Sequence, residues 1–162
     1  MTMNWRAMRA QDLRAVVALA DAIHPDHPER PEIFAERLAL FPEGARALTA
    51  DESLRGYAIA HPWAGEPPKL DTSLGALPAD SDHLYIHDVA LAPDARGLGA
   101  ARAVLVRFEA LTRGLGLKEL RLIAVSGSAP TWRRLGFADV GQASSSYGGQ
   151  AREMRRIFGG PT

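Results

Sequence analysis

The run Arg96-Gly97-Leu98-Gly99-Ala100-Ala101 sets a cation and two glycines at the start of an amphipathic stretch, a combination suited to holding a phosphate. Glycine lets a ligand approach the backbone closely, and the first-turn amides of a helix have no intrahelical partner. The helix dipole adds positive potential there, and Arg96 adds charge-assisted hydrogen bonds. A turn that holds no ligand is the alternative, because a lone Gly-x-Gly is a weak signal. A dinucleotide fingerprint would need a third small residue where Arg102 stands, and a P-loop would need a Gly-Lys-Ser/Thr that the chain lacks.

Just upstream, His83, Tyr85, His87, Val89 and Leu91 alternate in HLYIHDVAL, which predicts a strand with these five on one face. A histidine titrates near ~6.5, so His87 suits proton transfer at neutral pH. A hydrogen-bonded strand histidine beside Asp88 is the competing reading. On a strand, His83 and His87 lie about 13 Å apart at ~3.3 Å per residue, too far to share one metal ion. His24-Pro25-Asp26-His27 reads as a loop turn. No metal is expected.

These residues need elements to position them. Asn4–Arg9 is a short alternating strand. A helix from Gln11 or Asp12 to Ile23 carries an apolar stripe, and Pro31 opens a second helix that Pro42-Glu43-Gly44 stops. Ala45–Ala50 and Leu54–His61 form a hairpin. A proline-rich loop spans 62–82. The central strand then feeds the glycine turn and a helix ending near Gly114-Leu115-Gly116. Glu119–Val125 is a strand parallel to the central one, Pro130–Leu135 a short helix, and two strands flank the Ser144–Gly149 turn.

Read together, Val89-Ala90-Leu91, Arg96-x-x-Gly99-x-Ala101 and Trp132-Arg133-Arg134-Leu135-Gly136-Phe137 resemble the GNAT N-acetyltransferase superfamily. The first two segments look like its motif A, an apolar strand followed by R/Q-x-x-G-x-G/A, and the third looks like its Y-E-K-L-G-F element. The resemblance implies an α+β fold over residues 1–162. That fold is one domain with a mixed, mostly antiparallel twisted sheet of about six or seven strands, about four helices, and a splay at the central parallel pair. It implies acetyl-CoA as co-substrate, with its pyrophosphate on Arg96, Gly97, Leu98, Gly99, Ala100 and Ala101. Its pantetheine arm would lie beside Val89, Ala90 and Leu91, with Arg102, Ser128 and Trp132 nearby.

The implied activity is direct acetyl transfer to a primary amine of a small molecule or peptide. His87 stands where relatives carry a base, with Tyr85 orienting substrate. His24, Phe34, His61, Trp63 and Tyr147 are acceptor candidates. Trp132 departs from the pattern, since relatives place a tyrosine there to protonate the leaving thiolate, and indole cannot serve as that acid. Tyr147, Ser126, Ser128 or water would have to substitute. The alternative is a non-catalytic acyl-CoA sensor or interaction module on the same fold.

Composition narrows the classes further. The 162 residues include no cysteine, which excludes disulfides and a thiol acyl-enzyme. No apolar run approaches the ~20 residues of a membrane span, and no secretory leader pattern opens the chain, so a cytoplasmic protein is expected. Residues 1–91 hold 8 Lys and Arg against 14 Asp and Glu, whereas residues 92–162 hold 11 against 5. One half therefore favours cations and the other anions, which is not the one-sided basic surface of a nucleic-acid binder. The resemblance also carries an expectation of a homodimer.

Overall fold

The structure is a computed structural model that describes residues 2–143 and 145–158. In chain order it has β1 (Asn4–Ala7), α1 (Leu13–Ile23), α2 (Pro31–Leu40), β2 (Ala45–Ala50), β3 (Ser53–Trp63) and β4 (His83–Leu91). Then come α3 (Ala100–Gly114), β5 (Glu119–Ala124), α4 (Ala129–Arg134), β6 (Ala138–Gln142) and β7 (Arg152–Ile157). The strands form one sheet in the order β1-β2-β3-β4-β5-β7-β6. Among the described residues only β4 and β5 pair in parallel; the other five pairings are antiparallel.

Each face of the sheet buries its own core. On one side Leu84, Ile86, Leu120 and Leu122 pack against Val104, Leu105 and Phe108 of α3. On the other, Ala45, Ala47, Tyr57, Ile59 and Ala90 pack against Val16 and Ala20 of α1 and Phe34 of α2. The helices follow their sequence signals: Pro31 takes the first position of α2, where its missing N–H is no loss. Gly56 sits where strands crowd, since a Cβ there would come within 2.8 Å of the Ala90 carbonyl oxygen.

Two irregularities in β4 shape the cleft beside it. Its parallel pairing with β5 covers only Leu84–Leu120, Tyr85–Arg121 and Ile86–Leu122. Beyond Ile86 the two strands part, so the β5-facing backbone of residues 87–91 has no strand partner among the described residues. On its other edge, Ile59 faces Asp88 and Ala60 faces Ile86, leaving His87 as the extra residue of a β-bulge.

The bulge corrects the alternation expected for His83 through Leu91. An extra residue in a strand resets its two-residue period. Val89 packs with the α3-side core and Ala90 with the α1–α2 side, so Val89 and Leu91 do not continue the face of Tyr85 and His87. The bulge instead turns the neighbours His87 and Asp88 toward the same helical layer, where they meet Glu29 and His24.

Residues 64–82 form a strap fastened to α2 and to the β6–β7 connection. Glu36 accepts the amides of Leu74 (2.7 Å) and Gly75 (3.0 Å), and the buried Arg37 donates to the Thr72 carbonyl. Tyr147 donates its hydroxyl to the Pro68 carbonyl at 2.9 Å. No helix among the described residues is long and apolar enough to cross a membrane.

Candidate active site

Where β4 and β5 part, a cleft of about 480 Å³ opens. One wall carries Val89, Ala90 and Leu91 of β4. The facing wall carries Leu122, Ile123 and Val125, followed by Ser126, Ser128, Thr131 and Trp132. Arg96 and Ala101 line one end, with Gly97 and Gly99 between them at φ 75° and 82°. Both φ values fall in the left-handed region that glycine adopts readily. A Cβ on either glycine would meet nothing within 4 Å, so there is open space beside the turn. Leu98 is exposed, Ala100 begins α3, and Arg102 lies exposed on that helix.

The opposite end is built from α1, the α1–α2 loop and the bulge. The His87 Nε2 lies 2.7 Å from Glu29 Oε1, and both side chains are almost fully buried. The other Glu29 oxygen accepts the amide of Asp71 from the strap at 3.1 Å. Burial would raise the pKa of Glu29, but the charge and hydrogen bond of His87 and the Asp71 amide outweigh it, and the net shift is downward. Glu29 is therefore an ionised carboxylate that accepts from Nε2–H. That leaves the buried Nδ1 of His87 as the basic atom, and it has no hydrogen-bond partner among the described residues.

A second histidine–carboxylate pair stands beside the first. His24, at the end of α1, places Nε2 3.0 Å from Asp88 Oδ1, and the Tyr57 hydroxyl donates to Oδ2. Burial opposes ionisation of Asp88, yet the hydrogen bonds from His24 and Tyr57 and the imidazole charge hold it below its ordinary range. For His24, burial favours the neutral ring, but Asp88 and Glu29 reverse this and raise its pKa.

The sequence candidates thus separate by position. Val89, Ala90, Leu91, Arg96, Ala101, Ser128, Trp132, His87, His24 and Tyr147 all line the cleft. Tyr85 is buried behind it, hydrogen-bonded to the hydroxyl of Tyr147. Phe34 is also buried, its ring edge-on to His87 at 6.4 Å between centroids. His61 is buried between Trp63 and Tyr85, and desolvation lowers its pKa to about 3. Trp63 donates its indole N–H to Glu66 within the strap.

Four polar cleft residues escaped the sequence reading as site members: Glu29, Asp88, His27 and Thr131. Asp88 was visible only as a neighbour of His87. Glu29 lies 58 residues from the histidine it holds, and nothing local marks it except the density of titratable groups in His24–Arg30. Among the described residues no group of three or more histidines and carboxylates is arranged to hold a metal.

The pattern that defines the Acetyltransferase (GNAT) family matches residues 10–137, and the chain belongs to that family. No curated protein matches the sequence. Among solved structures, the fold resembles Ard1 from Thermoplasma volcanium, at 16% identity and a TM-score of 0.76 over 99% of this chain and 100% of that one. It also resembles Arabidopsis thaliana Naa50 in complex with the bisubstrate analogue CoA-Ac-MVNAL, at 13% identity and a TM-score of 0.74, covering 98% and 100%. A third similar structure is the GphF GNAT-like decarboxylase in complex with isobutyryl-CoA, at 16% identity and a TM-score of 0.78, covering 95% and 98%. At such identities these likenesses concern the fold.

Proposed function

We propose that the protein is an acetyl-CoA-dependent N-acetyltransferase that acts on a primary amine of a small molecule or peptide. The observation that carries this reading is the buried Glu29–His87 pair at the end of a cleft that begins in an open glycine turn. Arg96 and the amides of residues 97–101 would hold the pyrophosphate of the co-substrate. The unpaired β5-facing edge of residues 87–91 would hold its pantetheine arm as a strand is held. Acetyl-CoA supplies the thioester carbonyl that the amine attacks.

An alkyl amine has a pKa near ~10, so about one molecule in a thousand carries a free lone pair at pH 7. His87 removes the amine proton through Nδ1, directly or through one water, while Glu29 fixes the tautomer and stabilises the imidazolium. For the leaving thiolate, Trp132 offers no acid. Tyr147 has its hydroxyl committed to Pro68, which leaves the hydroxyls of Ser126, Ser128 and Thr131 on the cleft wall, or water. Calorimetric titration with acetyl-CoA tests the binding step, and no heat at high micromolar ligand would sink the reading. Release of free thiol over an amine panel tests turnover. Trp132 favours one other reading, an acyl-CoA sensor, and binding without thiol release across that panel would select it.

A further inference from the structure

Three histidines line the amine end of the cleft, and each spends Nε2 on an acceptor: His24 on Asp88, His27 on the Tyr147 carbonyl, His87 on Glu29. Each of these partners can only accept once the carboxylates are ionised, so each Nε2 carries the proton. In the neutral ring each Nδ1 is then a lone pair, and all three Nδ1 atoms are buried without a hydrogen-bond partner among the described residues. The Tyr147 hydroxyl, which could have donated into this space, donates to Pro68 instead. Arg96, at the other end, is the only Lys or Arg among the described residues that line the cleft.

The amine end therefore presents acceptors and two carboxylates, with no lysine or arginine among the described lining residues to receive an anionic substrate. One reacting amine can satisfy His87, but it leaves the other lone pairs orphaned, and a buried acceptor left unpaired is costly. We propose that the acceptor is a diamine-like molecule, whose second cationic N–H group is held by His24 and His27 while its first is deprotonated at His87. This rests on the acetyltransferase reading and assigns its substrate class. An acceptor bearing a carboxylate near the amine would be rejected, because it would meet Glu29 and Asp88 with no lysine or arginine lining that end of the cleft.

The test uses three probes of matched length: 1,4-diaminobutane, pentylamine and 4-aminobutanoate, assayed with acetyl-CoA at about pH 9, alkaline enough to favour the neutral ring of His24, whose pKa Asp88 and Glu29 raise. The expected result is a kcat/KM for the diamine at least tenfold above pentylamine, with 4-aminobutanoate lowest. His24→Ala should shrink the diamine-to-pentylamine ratio toward one. Should that variant fail to fold, the wild-type ratios alone decide. Equal or better turnover of pentylamine or 4-aminobutanoate overturns the diamine assignment while leaving the acetyltransferase intact. No transfer to any of the three, with acetyl-CoA bound, also overturns the diamine assignment, and thiol release over the wider panel of small-molecule and peptide amines then decides the acetyltransferase reading separately.

Discussion

At the scale of single residues, the site depends on pairs in which a buried carboxylate fixes an imidazole. Glu29 is held below the usual carboxylate range, so it stays ionised throughout the neutral region. His87→Ala should lower kcat by about 10²–10⁴-fold, the span of a general base, without weakening acetyl-CoA binding measured by calorimetry. An unchanged pH–rate profile in that variant would reject the role. Asp88 has a different signature, read in stability. Its pKa is lowered in the folded state, so its stabilisation is present above the unfolded value and is lost as pH falls through the folded one. Removing the hydroxyl that donates to it, as in Tyr57→Phe, should cost about 1–3 kcal/mol at pH 7 in denaturant unfolding. The difference from wild type should narrow at acid pH as Asp88 protonates in both.

At the scale of elements, the punctuation of the chain made most boundaries readable. Pro31 opens α2, Pro42 closes it, and the charged turn Asp51-Glu52 separates β2 from β3 where expected. The parting of β4 from β5 was implied by resemblance to a family, and the three-residue pairing shows it. The bulge was not readable. It adds one residue to one edge, and HLYIHDVAL alternates well enough to conceal the change of face at His87. Glu29 was hidden for another reason: its partner is brought in by tertiary packing, and no spacing in sequence encodes that. The strap offers a test at this scale. Glu36→Ala removes the acceptor for two strap amides, Leu74 and Gly75, and should raise KM for the amine several-fold while leaving the affinity for acetyl-CoA unchanged. Gly56→Ala would push a methyl against the Ala90 carbonyl and should cost about 1–3 kcal/mol, a fall of roughly 2–4 °C in Tm per kcal/mol for a chain of this size.

At the scale of the whole molecule, the division of charge noted along the chain has a spatial counterpart within the cleft. Arg96 stands at one end, and Glu29 and Asp88 at the other. Saturation with a ligand that binds only the folded state adds about 2.7 kcal/mol at a hundredfold excess over Kd. Acetyl-CoA at that ratio should therefore raise Tm by roughly 5–11 °C in differential scanning fluorimetry, and desulfo- or dephospho-analogues can map which part of it does so.

The strand order carries one more consequence. Because β7 lies between β5 and β6, the strand that flanks the cleft waits for a strand that follows β6 in the chain before its outer edge is covered. A nascent chain that has emerged only as far as β6 holds β5 with a bare edge, an open template for a neighbouring chain. Until Arg152–Ile157 docks, that edge of β5 is open to pairing with another chain.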